Sequence, residues 1–208
     1  VSSTEIPVAH GQLEALWWKV EHPRAAAVVC HPHPVHGGTM NNHVTYRIAK
    51  TLRDNGVSCV RFNFRGVGRS TGKYDNGVGE IEDARAALNW LQKEEPNVPL
   101  WLSGFSFGCR TAVQLALQEK RVEKVLAVGL AVDMFDLSFV AQLQQTTAFI
   151  HSDTDEYGKL ENLKALIAKV PAKHALFVVP NADHLCNGRL DAFSEVAQQA
   201  FDWLAALS

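Results

Sequence analysis

The stretch Leu100–Ala112 reads Leu-Trp-Leu-Ser-Gly-Phe-Ser-Phe-Gly-Cys-Arg-Thr-Ala. An apolar run leads into Gly104-Phe105-Ser106-Phe107-Gly108, and a segment with helical spacing follows, with Ala112, Leu115 and Ala116 on one face. Strand, sharp turn and helix, with a serine flanked two residues away on each side by glycine, is the pattern of a nucleophile elbow. The requirement is steric. A serine pushed out of the top of a sheet takes a strained, positive-φ backbone. Side chains two residues before and after it would collide as the chain doubles back, and glycine has none. Gly-x-Ser-x-Gly also arises in ordinary small-residue turns, so the rest of the chain must decide.

Around this stretch, strands and helices alternate. Gln12–Val20 and Ala25–Cys30 read as two strands joined by a short turn, which suggests antiparallel pairing between them. Helical spacing then covers Val44–Asn55 and stops at Gly56. The uniformly apolar Val57–Phe62 has the look of a buried parallel strand. Glu80–Gln92 is the next helix. After the elbow come strands Lys124–Val132 and Thr146–His151, helix Lys159–Lys169, strand Ala175–Val179 and a last helix from about Leu190 to Leu207. The expected architecture is α/β: one domain over residues 1–208, a mostly parallel sheet with helices on both faces. Asp133–Gln145 is too short to hold an inserted lid domain.

In such sheets ligands bind beyond the carboxyl ends of strands. A serine needs a base, and the base needs an acid to fix its tautomer. Ser152-Asp153-Thr154-Asp155-Glu156 follows one strand, and Pro180-Asn181-Ala182-Asp183-His184 follows the next. Ser106, an acid and His184 thus occur in the chain order this elbow type uses. Asp155 is the preferred acid; Asp153, Glu156 and Asp133 are the alternatives, and Asp183 reads as a turn former. An oxyanion hole needs two N–H donors. Phe107, the residue after the serine, supplies one. In the loop His31-Pro-His-Pro-Val-His36, prolines have no N–H, and matching His31 to the histidine that ends the equivalent strand elsewhere puts the second donor at the backbone of His33.

Other chemistries fit less well. His31, His33 and His36 approximate a metallo-hydrolase pattern, but Val35 stands where its aspartate belongs, so no metal and no cofactor are expected. The loop from Arg65 to Tyr74 fails the phosphate-loop spacing at Thr71 and the dinucleotide pattern at the same residue. For Arg65 and Arg69, contact with a substrate carboxylate and plain solvation are the alternatives, the second being commoner. The chain is 47% hydrophobic and 20% charged, with a formal net charge of −2, and no basic stripe suggests a nucleic-acid partner. The longest apolar run, Val125–Val132, is too short to span a bilayer. The first residues lack signal-peptide blocks, and four scattered cysteines read as reduced thiols. A cytoplasmic protein acting on a small molecule is expected, with the oligomeric state open.

The segments His31-Pro-His-Pro, Gly37-Gly-Thr-Met-Asn-Asn42, Arg61-Phe-Asn-Phe-Arg-Gly-Val-Gly-Arg-Ser70, Gly104-Phe-Ser-Phe-Gly108 and Ala182-Asp-His-Leu-Cys-Asn-Gly-Arg189 resemble the small lidless α/β-hydrolases of the dienelactone-hydrolase-like group. The resemblance covers nearly the whole chain. It implies an α/β-hydrolase sheet and esterase-type chemistry, with Ser106, Asp155 and His184 on the triad positions. Dienelactone hydrolase proper carries a cysteine nucleophile, whereas this elbow carries Ser106. Cys109 lies in the following helix and not at the tip. The expected activity is hydrolysis of small acyl esters, with thioesters or lactones as alternatives on the same triad and a non-catalytic binding protein as the rival. Phe105, Phe107, Met134, Phe135 and Leu185 are candidates to shape the pocket.

Overall fold

The computed structural model describes residues 1–207. An eight-stranded sheet runs through it in the order β1-β2-β4-β3-β5-β6-β7-β8. Its strands are β1 (Ser2–Val8), β2 (Gly11–Trp18), β3 (Ala25–Cys30), β4 (Val57–Phe62), β5 (Leu100–Phe105), β6 (Val122–Val128), β7 (Thr146–Ser152) and β8 (His174–Val179). From β4 to β8 every pairing is parallel.

Burial on both faces explains the uniformly apolar strands. Along β3, Ala26, Val28 and Cys30 point to one core, while Ala25, Ala27 and Val29 point to the other. This is the two-residue period of a strand with no solvent face. The first core is covered by α2 (Gly79–Glu94), α3 (Phe107–Gln118) and α4 (Leu160–Ile167), through Leu88, Leu91, Leu115 and Leu163 among others. The second is covered by α1 (His43–Asp54) and α5 (Leu190–Ala205), through Ile48, Leu52, Phe193 and Phe201. The α1 helix starts where Asn42 accepts the N–H groups of Val44 and Thr45, satisfying donors that the first turn leaves free.

One strand was not read from the sequence, and two expectations are corrected. The chain begins with a strand, β1, paired antiparallel to β2; Ile6 is its one fully buried residue, so it shows no alternating pattern. The second strand does not pair with β3. Both edges of β3 are taken by parallel β4 and β5, and β2 lies antiparallel on the outer side of β4, with Trp18 opposite Cys59. The crossing distance of two strand spacings, about 10 Å, is easily bridged by residues 19–24. Ser58 on β4 accepts the Val20 N–H and donates to the buried Glu95, fixing the exit from β2. The apolar run Val125–Val132 is strand only to Val128. Gly129 turns the chain at φ 62°, and a side chain there would meet the ring of Phe105 at 2.7 Å. Leu130 and Ala131 stay buried as loop. No helix among the described residues is long and apolar enough to cross a membrane.

The two elbow glycines are needed for different reasons. A Cβ on Gly104 would stand 2.3 Å from the Gly108 carbonyl, the local doubling back read from the sequence. A Cβ on Gly108 would instead stand 2.4 Å from the carbonyls of both Cys30 and His31, because the start of α3 abuts the end of β3. Gly108→Ala therefore forces the helix away from backbone that cannot yield. We expect a loss of about 1–3 kcal/mol, read as a lower urea midpoint with an unchanged slope; an unshifted midpoint would contradict the close approach.

Candidate active site

Ser106 joins β5 to α3 with φ 55° and ψ −117°. Its N–H donates to the Val128 carbonyl and its own carbonyl accepts the Arg110 N–H, both at 3.0 Å. The strained conformation is thus held from both neighbouring elements. The N–H groups of Phe107 and His33, the two expected oxyanion donors, bond no protein acceptor among the described residues. The rings of these two residues lie 4.8 Å apart, between the start of α3 and the loop after β3.

His184, on the loop after β8, accepts from Ser106 Oγ at Nε2 (2.8 Å) and donates from Nδ1 to Asp155 Oδ2 (2.7 Å). With Nδ1–H committed to a carboxylate, Nε2 is left as the lone pair facing the hydroxyl. Asp155 Oδ1 takes the Tyr157 N–H at 2.8 Å. Asp155 and His184 are 6% and 4% exposed, whereas Ser106 is half-buried. The imidazole lies against the face of Phe105 and the edge of Tyr157, with ring centres 5.0 and 4.9 Å away.

The other acids have different partners. Asp153 accepts the N–H groups of Asn181 and Ala182, and Glu156 accepts the backbone N–H of His184. Asp133 is held by the Lys159 N–H and Asn162, and Asp183 forms a turn with Asn187. Behind Asp155 lies His151, wholly buried; its Nε2 donates to the Gly158 carbonyl at 2.6 Å and stands 3.8 Å from Asp155 Oδ2. Sequence reasoning named Glu156 only as an alternative acid and passed over Tyr157 and His151; all three touch the base or the acid through tertiary contact.

The histidine-rich loop is divided in role. His31 is fully buried, with Nε2 accepting the Phe64 N–H and Nδ1 donating to the Pro32 carbonyl. Both ring nitrogens are therefore occupied. Among the described residues, no group of three or more His, Cys, Asp or Glu side chains is placed to hold a metal ion. Arg65 and Arg69 do not face the site as free cations: Arg65 forks onto the buried Asp83 and Arg69 pairs with Glu14. All four cysteines are buried and free, and burial pushes the Cys109 thiol up, away from the reactive thiolate.

Of the candidate pocket residues, Phe105 and Phe107 are buried, Phe135 is half-buried, and Met134 and Leu185 are exposed. The exposed pair belongs to a wider set. Val35, Val78, Met134, Tyr157 and Leu185 are large apolar side chains left in solvent, one each on the loops that follow β3, β4, β6, β7 and β8. These loops all lie at the carboxyl end of the sheet, the end that carries Ser106.

This fold and this serine-centred site define a lidless α/β-hydrolase, and the chain belongs to the α/β-hydrolase family. The model of the alpha/beta hydrolase fold matches residues 35–136. An alpha-beta serine hydrolase homologue from Coxiella burnetii is 36% identical with a TM-score of 0.89, covering 95% of this chain and 96% of that one. A serine hydrolase without a lid from Xanthomonas campestris is 27% identical with a TM-score of 0.89, covering 100% and 96%. An uncharacterised protein of Rickettsia prowazekii is 37% identical over 195 residues, 89% of this chain and 82% of that one.

The buried loop leaves a mark on stability. Burial pushes His31 down from 6.5 to about 4. On acidification the unfolded chain takes up this proton near pH 6.5 and the folded chain does not until near pH 4, so stability is lost across that window. The size is about 3 kcal/mol. Burial holds His151 below its ordinary value as well, so it adds to the same slope. His31→Asn should flatten the dependence of the urea midpoint on pH between about 6.5 and 4; an unchanged slope would remove His31 from the account.

Proposed function

We propose that this protein is a serine hydrolase of small carboxylic esters, with Ser106 as nucleophile, His184 as general base and acid, and Asp155 as the residue that orients it. The observation that carries the reading is the unbroken relay from Asp155 through His184 to Ser106, with contacts of 2.7 and 2.8 Å. In the first step His184 Nε2 takes the hydroxyl proton while Ser106 Oγ bonds to the acyl carbon, and the carbonyl electrons move onto oxygen. That oxygen would lie between the N–H groups of Phe107 and His33. As the tetrahedral intermediate collapses, the imidazolium returns its proton to the leaving alkoxide, and an acyl-serine remains. Water, deprotonated by the same nitrogen, then releases the acid and restores Ser106.

Nucleophile, base and oxyanion donors all come from the chain, so the steps call for no metal or organic cofactor. The apolar rim around Ser106 suits the hydrocarbon part of a small-molecule ester, and the open site favours short or soluble acyl groups over long lipids. Four free thiols fit a cytoplasmic setting. The activity is of the dienelactone-hydrolase-like kind, with an oxygen nucleophile in place of sulfur.

Ser106→Ala should lower kcat on a short-chain aryl ester by roughly 10⁶ and abolish labelling by a fluorophosphonate probe. Asp155→Asn should damage turnover far more than Asp153→Asn. A wild-type protein that the probe does not label, and that cleaves no ester, would favour a non-catalytic binding role; full activity in Ser106→Ala would end the proposal.

A further inference from the structure

Arg110 lies one helical turn beyond Ser106, about 6 Å along the axis of α3. Several other arginines are paired with carboxylates: Arg65 with Asp83, Arg69 with Glu14, Arg85 and Arg121 with Glu119. Arg110 is not. Among the described residues no carboxylate oxygen comes within 4.0 Å of its nitrogens, and its side chain donates no hydrogen bond. Its Nε is sealed from solvent without an acceptor, as is Nδ1 of His33. A sealed atom cannot meet a ligand, but the two terminal nitrogens of this half-buried guanidinium are not sealed and have no protein partner among the described residues.

Arg110 and His33 both border Phe107, the residue that follows Ser106. The guanidinium lies under the ring of Phe135, 5.6 Å from its centre. A Cβ built on Gly77 would stand 2.5 Å from Arg110 Nη1 and 3.6 Å from the edge of Phe107, so the cation and the Phe107 ring border the same space. The His33 ring packs on Phe107, stacks on His36 at 4.4 Å, and has Nε2 3.4 Å from the Tyr74 hydroxyl. Glu80, buried in the first turn of α2, accepts the N–H groups of Asp75 and Gly77 with its two carboxylate oxygens. A positive charge thus flanks Phe107, whose N–H is a proposed oxyanion donor.

We propose that Arg110 binds a carboxylate carried by the substrate away from the scissile bond, so that the substrates of this site are mono-anionic esters, such as half-esters of dicarboxylic acids or esters of carboxylated alcohols. The proposal rests on the esterase reading above. A guanidinium offers a planar fork that matches a carboxylate, and half-burial beside Phe135 and Phe107 strengthens the pairing by excluding water. One charge favours a carboxylate over a phosphate dianion. The neighbouring imidazole of His33 supplies no second cation at neutral pH, because burial, His36 and Arg110 together lower its proton affinity.

The test compares wild type with Arg110→Gln on two matched pairs: mono-4-nitrophenyl glutarate against 4-nitrophenyl pentanoate, and 4-acetoxybenzoate against 4-acetoxybenzamide. The first pair puts the charge on the acyl side and the second on the leaving side. In the pair that matches the site, the ratio of kcat/KM for the anionic over the neutral ester should fall about tenfold or more in the variant, mainly through KM; tenfold corresponds to about 1.4 kcal/mol. Calorimetry with glutarate should show binding to wild type that is weakened in Arg110→Gln. Equal ratios in the two proteins for both pairs, or glutarate binding that ignores the substitution, would overturn the proposal. Inorganic phosphate binding more tightly than glutarate would overturn the carboxylate assignment. Glutarate binding through Arg110 in a wild-type protein that cleaves none of the four esters would support the anion site while refuting the esterase reading.

Discussion

The close approach of the start of α3 to the end of β3 is the constraint on which the site depends. It is possible only because Gly108 has no side chain to meet the carbonyls of Cys30 and His31. That contact brings Phe107 beside His33, so the geometry of the two free N–H groups is set by backbone packing against backbone. Ser106, at the turn that leads into this contact, is strained. Its left-handed φ of 55° costs of order 1–3 kcal/mol, and hydrogen bonds to Val128 and from Arg110 hold it there. Strain at one residue is offset by regular structure on both sides.

A second layer of constraint joins the loops after β7 and β8. Three carboxylates cross between them, and each has its own task. Asp153 takes two backbone N–H groups at the tip of the β8 loop, Glu156 takes the N–H of His184, and Asp155 takes its imidazole. The first two fix where the backbone of residue 184 lies, and the third fixes how its ring is turned. Fixing both position and rotation is what brings Nε2 to 2.8 Å from Ser106. An acid chosen by distance from the strand end alone would not reveal this division, because it appears only when the facing loop is in place.

Much of this could be read from the sequence, for reasons that also mark the limits. The uniform burial of β3 and β4 leaves a continuous apolar signature, and the elbow, the acid and the histidine each follow a strand in the expected order. The antiparallel edge could not be read. A short turn between two strands usually means a hairpin, and here β4 arrives later in the chain to take the place beside β3. The run after β6 misled for a related reason, since Leu130 and Ala131 are buried by the fold and not by pairing. Within the site, Ser106, Asp155 and His184 were legible because covalent position relative to strand ends constrains them. The roles of Glu156, Tyr157 and His151 were not, because their contacts depend on which loops meet. Arg110 is intermediate: helical arithmetic puts it one turn from Ser106, but that its charge lacks a partner could emerge only from the packed loops.

The absence of an inserted lid between β6 and β7 changes how the site excludes water. Asp155 and His184 are nearly closed off, with Phe105 on one face of the imidazole and Tyr157 at its edge, while Ser106 alone among the three remains half-open. Dry surroundings strengthen the attraction between the carboxylate and an imidazolium formed against it, so on the proposed mechanism the part of the reaction that benefits most from low polarity is already enclosed by the fold. Nothing then has to close over the nucleophile for the charge relay to work. On the same proposal, selection of a substrate falls to the rim loops with their exposed apolar side chains and to Arg110 on α3. A site built this way separates the two demands: the relay is fixed by buried contacts, and the rim can vary without disturbing it.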